Sequence, residues 1–68
     1  MREIKLLIVD DEDEIVDEFE NSIKIYNREN KEIKYKPYIA KSFDKAKEIL
    51  ETYIIDTAII DINLDSRG

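Results

Sequence analysis

The sequence predicts an α/β fold, β-α-β-α-β, with three parallel strands in the spatial order 2-1-3. Three observations predict it. Lys5-Leu6-Leu7-Ile8-Val9 and Thr57-Ala58-Ile59-Ile60 are aliphatic runs of the kind buried on both faces of a parallel sheet. Each run ends in aspartate, Asp10-Asp11 after the first and Asp61 after the second. Between them, helical stretches alternate with one short half-polar strand, a pattern that calls for right-handed crossovers and a parallel sheet.

The first strand spans Ile4 to Val9. It leads into the acidic run Asp10-Asp11-Glu12-Asp13-Glu14, followed by Ile15, Val16, Phe19, Ile23 and Tyr26, which share one helical stripe. Acidic residues in a first turn complement the positive end of the helix dipole. Glu20 stands four residues before Lys24, a favourable helical pair, and the helix is expected to fade near Asn27 to Asn30. Ile33, Tyr35 and Ile39 then alternate with Lys34, Lys36 and Tyr38 as a half-exposed strand. Pro37 has no N–H to donate and suits an edge strand.

Ser42 is a good N-cap for a second helix, with Ala46, Ile49, Leu50 and Tyr53 expected on its inner face. Residues 57 to 61 form the third strand. The spatial order puts the most aliphatic strand in the centre and the proline at an edge. The third strand is nevertheless apolar throughout, and an exposed hydrophobic edge is a liability. The chain therefore reads as the first half of a larger sheet. Of the tyrosines, Tyr26, Tyr35 and Tyr53 are expected in the core or at its rim and Tyr38 at the surface. Lys34, Lys36 and Lys41 read as exposed strand and loop charges, not as a phosphate cradle.

With 68 residues, the chain makes at most one small domain. Chains of this length bury only about 60% of their unfolded surface and are marginally stable without staples or partners. The absence of cysteine excludes disulfides and thiolate metal sites, and the absence of histidine excludes imidazole bases and zinc sites. Carboxylates are left as the catalytic groups. Eleven basic against 17 acidic residues, a net charge of −6, argue against general nucleic-acid affinity. No stretch approaches the roughly 20 apolar residues of a membrane span. The start Met1-Arg2-Glu3-Ile4-Lys5 lacks the form of a signal peptide, so a soluble cytoplasmic protein is expected.

Ligand sites in parallel sheets lie beyond the carboxyl ends of the strands. Two adjacent strands would bring Asp10, Asp11 and Asp61 into one crevice there. Clustered carboxylates repel one another and attract a cation, and oxygen-only ligation suits Mg²⁺. The plainer reading makes each a solvated turn residue at a strand end. The denser acidic run, Glu12, Asp13, Glu14, Asp17 and Glu18, lacks the spacing and the glycine of an EF-hand loop and reads as a charged solvent face.

Taken together, Leu6-Leu7-Ile8-Val9-Asp10-Asp11-Glu12, the Ala40 to Leu50 stretch with Ala46, and Asp56-Thr57-Ala58-Ile59-Ile60-Asp61-Ile62-Asn63-Leu64 resemble the N-terminal half of the response-regulator receiver domain of two-component signalling. The resemblance spans residues 1–68 and implies a doubly wound, flavodoxin-like sheet. It also implies that Asp61 accepts a phosphoryl group from a sensor histidine kinase or phosphotransfer protein. By the same resemblance, Asp10, Asp11, Asp61 and the backbone carbonyl of Asn63 would hold Mg²⁺. Such a module assists its own phosphorylation and is not a turnover enzyme. The sequence departs from the family in two places. Asp65 stands where proline is usual, and Gly68 comes about one residue early. The family's phosphate-sensing Ser/Thr and phosphate-binding Lys belong to later strands, outside these 68 residues.

Two other functions compete. A haloacid-dehalogenase-like phosphotransferase also ends its first strand in a nucleophilic aspartate, but needs a second aspartate two positions on. Here Glu12 follows Asp10 at that spacing, and starting from Asp11 moves the nucleophile off the strand end. The other is a pseudo-receiver or half-domain that acts by self-association, including a homodimer through the exposed edge of the third strand.

Overall fold

The structure, a computed structural model, describes residues 2–61. In chain order the elements are β1 (Arg2–Asp10), α1 (Asp13–Glu29), β2 (Ile33–Ala40), α2 (Phe43–Thr52) and β3 (Thr57–Asp61). The strands form one parallel sheet in the order β2-β1-β3, as the aliphatic runs and the proline imply. β1 is longer than its apolar run, because Arg2 and Glu3 extend its ladder opposite Ile33 and Lys34.

Alternation along β1 divides the core into two layers. Leu6 and Ile8 pack with Ile23, Phe19, Tyr35 and Ile39 on the α1 face. Leu7 and Val9 pack with Ala40, Ala46, Ile49, Tyr38 and Ile55 on the α2 face. Both faces of β1 are thus closed, and Leu7, Ile8 and Val9 are the largest fully buried side chains. α1 ends at Glu29, where the Asn30 N–H donates to the Tyr26 carbonyl. α2 begins as expected, with the Ser42 hydroxyl accepting from the Lys45 N–H at 3.1 Å.

Three details correct the expectations. Leu50 is 55% exposed and Tyr53 44% exposed, because α2 lies over β1 and β2 and no described element lies beside it over β3. Tyr38 is half-buried, its ring 4.6 Å from that of Tyr53 and packed against the α2-side core. Glu20 and Lys24 form no ion pair; among the described residues, the pairs are Lys41 with Asp13 and Lys45 with Glu48.

The two sheet edges differ. On β2, Asn27 at the end of α1 lays its side-chain amide along the strand. Its Nδ2 donates to the Tyr35 carbonyl and its Oδ1 accepts from the Tyr35 N–H, both at 2.8 Å. Two residues further, Pro37 has no N–H to offer. The side chain therefore satisfies one outward pair of backbone groups, and the ring removes the next donor. Among the described residues β3 has no such device, and all five of its own residues are exposed, Ile60 to 63% and Ile59 to 37%. Among the described residues, no helix is long and apolar enough to cross a membrane.

Candidate functional site

The carboxyl end of the sheet is set by β1 and β3. In register, Asp10 stands opposite Asp61 at the last rung of their ladder. Neighbouring strands run about 4.8 Å apart, and partners in register point to the same face. That face is the α1 side, which Leu6 and Ile8 already occupy lower down the strand.

The two aspartates differ in environment. Asp10 is only 2% exposed, and it is the buried charged residue of the described part of the chain. Its Oδ1 accepts the Glu12 N–H at 2.8 Å, which bends the chain out of β1 and into the first turn of α1. Asp10 is thus buried and not solvated, while it makes the turn bond that the plainer reading calls for. Glu12, at the N-cap of α1, makes no side-chain capping bond. Asp61 is exposed, at the rim of an open pocket of about 310 Å³ lined also by Ile15, Glu18, Phe19 and Ser22. Asp11 is exposed on the turn between β1 and α1.

The expected crevice is therefore only partly assembled. Asp10 and Asp61 are brought together, but among the described residues no group of three acidic side chains converges to hold a metal ion. The reason lies in the turn: the Asp10 carboxylate is engaged with the Glu12 N–H, and Asp11 lies one step beyond the strand end in solvent. Asn63, expected to lend its carbonyl, lies outside the described residues, as do Asp65 and Gly68.

Asp10 nonetheless fits a cation. It is a carboxylate buried with one N–H donor, and among the described residues neither ion pair involves it. Burying an ionised carboxylate without a counter-charge is expensive. Mg²⁺ takes hard oxygen ligands, keeps several waters and needs only one or two carboxylates alongside a substrate phosphate. Asp10 and Asp61 supply a set of that kind.

Charge around the site is arranged by two further residues. Lys41, directly after β2, pairs with Asp13 in the first turn of α1. Its hydrogen bond to Asp13 and the charge of that carboxylate raise the Lys41 pKa above the ordinary lysine value, with Asp17 adding to the effect. Lys41 is thereby committed to α1. Asp56 braces the entry to β3: its N–H donates to the Lys5 carbonyl at 2.9 Å, and its Oδ2 accepts the Lys5 N–H at 2.8 Å. This brace holds β3, and with it Asp61, in register beside β1. Sequence reasoning missed both Asp56 and Asn27. The signal for Asp56 was a polar residue just before an aliphatic run; for Asn27 it was an amide in the last turn of an amphipathic helix.

Comparison with known protein families, curated proteins and solved structures finds no match to this chain.

Proposed function

We propose that this chain is a phospho-accepting module of two-component signalling, with Asp61 as acceptor. The observation that carries the reading is the rung pairing exposed Asp61 with buried Asp10 at the carboxyl end of a parallel sheet. An exposed carboxylate at a pocket rim can reach a phosphoryl donor, and a buried one beside it favours a cation.

In the proposed reaction a carboxylate oxygen of Asp61 attacks phosphorus in line with the leaving group. The new O–P bond forms as the donor's P–N bond to histidine, or P–O bond to acetate, breaks. The leaving group departs with the bonding electron pair. Such transfers ask the protein mainly for positioning and charge neutralisation. Mg²⁺, held by Asp10 and Asp61 and assisted by Asp11, would neutralise the charge that gathers between carboxylate and phosphoryl oxygens. Asp56 fixes the strand that carries the nucleophile, and the Glu12 N–H fixes the Asp10 carboxylate. The acyl phosphate adds charge at a strand end flanked by α1, a local event of the kind that biases a switch.

The test is incubation with acetyl phosphate and Mg²⁺, followed by intact-protein mass measurement. The native chain should gain one phosphoryl group, and Asp61→Asn none, with unchanged circular dichroism. Uptake at equal rate by both would remove Asp61 from the role. A second reading, an interaction module without phosphoryl chemistry, draws on the incomplete carboxylate cluster and the bare β3 edge.

A further inference from the structure

The outer edge of β2 is closed by a side chain borrowed from α1. The Arg2 N–H donates to the Glu32 carbonyl at 2.7 Å, so the even-numbered residues of β2 turn their backbone groups in to β1. Ile33, Tyr35, Pro37 and Ile39 turn theirs outward. At Tyr35 the Asn27 amide takes both outward groups at 2.8 Å, as a neighbouring strand would take them. At Pro37 there is no N–H to give. The last turn of α1 is held against this edge by two further contacts. The Lys34 ammonium donates to the Asn27 carbonyl at 3.2 Å, and the Tyr26 ring stands edge-on to Tyr35 at 5.3 Å.

We infer that the Asn27 amide and Pro37 act together as a lock that keeps a second copy of this chain from adding its own strand to β2. A strand added here must bond to successive outward residues. The Asn27 side chain occupies its place beside Tyr35, and the next rung has no donor. Ile33 and Ile39 are left as isolated rungs at the two ends. Without the lock β2 would be a good template, since Ile33, Tyr35, Tyr38 and Ile39 all favour strands.

Charge acts in the same direction. Two β2 strands meeting antiparallel about Tyr35 would set Lys34 against Lys36 twice. Meeting about Lys36, they would oppose the two Lys36 side chains. Lysine and proline on an edge strand are general means of refusing strand addition, and here a helix-borne amide is added to them. The lock uses α1 and β2 alone and stands whether or not Asp61 accepts a phosphoryl group.

Amide exchange, read residue by residue by NMR at low and high chain concentration, tests the lock. The samples are the native chain, Asn27→Ala, the double variant Asn27→Ala with Pro37→Val, and Ser42→Ala. The native chain should protect the Tyr35 N–H equally at both concentrations. Asn27→Ala should exchange it about tenfold faster when dilute. The double variant should regain protection at Tyr35, and acquire it at position 37, as concentration rises and copies pair along β2. Ser42→Ala loses one hydrogen bond in α2, leaves the edge untouched, and should show no concentration dependence in β2. Three results would overturn the lock: double-variant exchange in β2 that ignores concentration, native exchange that slows with it, or the double variant's response in Ser42→Ala. Where the double variant unfolds, the single one decides, because unchanged Tyr35 exchange in Asn27→Ala would equally overturn it.

Discussion

Asp10 carries the most unusual environment of any residue described in the chain, a carboxylate 2% exposed with one backbone donor. Asparagine at that position would keep the acceptor for the Glu12 N–H and remove the charge. Asp10→Asn should therefore raise metal-free stability by about 1–3 kcal/mol, the scale of a buried group left short of partners. It should also abolish any response to Mg²⁺. The native chain should instead gain about 2.7 kcal/mol when Mg²⁺ stands a hundredfold above its dissociation constant. Urea unfolding with and without Mg²⁺ measures both quantities. An Asn variant that is less stable, with an undiminished Mg²⁺ response, would take Asp10 out of the cation's coordination. The roles of Asp10 and Asp61 were separable in sequence only as strand ends. That one is buried and the other exposed follows from β1 being central and β3 lateral.

At the scale of elements, small polar devices hold long apolar pieces in place. Ser42→Ala removes the bond that starts α2 and should cost about 1 kcal/mol in urea unfolding. Asn27→Ala removes both bonds to Tyr35 and should cost about 1–2 kcal/mol. Much of this architecture was legible in the residues. Aliphatic runs, Pro37, Ser42 and the stripe through Val16 and Ile23 placed strands, edge, cap and helix face. The misreadings share one cause. Leu50 and Tyr53 fit the helical period, but periodicity does not reveal how far the neighbouring sheet extends beneath a helix. Asn27 was invisible because its partner, Tyr35, lies across a turn, and no local pattern marks that pairing.

The described residues form a three-stranded sheet with two helices over β1 and β2, and among them no element covers the outer edge of β3. Its charge is carried largely at the surface, where ion pairs contribute little. The pKa of Lys41 is raised by Asp13, so Lys41 keeps its charge throughout the range below the ordinary lysine value. On the alkaline side its contribution is lost as pH climbs through the raised value, so chemical denaturation from pH 7 to 9 should show no loss traceable to Lys41. A Lys41→Ala variant with the same pH profile over that span is the expected control result; a diverging profile would mean that Lys41 has a partner besides Asp13. The proposed acceptor role lies at the sheet's carboxyl end, and chemical trapping of the modified residue addresses it without intermediaries. Borohydride reduces an aspartyl phosphate to homoserine, which peptide mass spectrometry locates. After acetyl phosphate and Mg²⁺, homoserine should stand at position 61, and none should form when Mg²⁺ is withheld. Homoserine at another aspartate, or at none, would remove Asp61 as the acceptor.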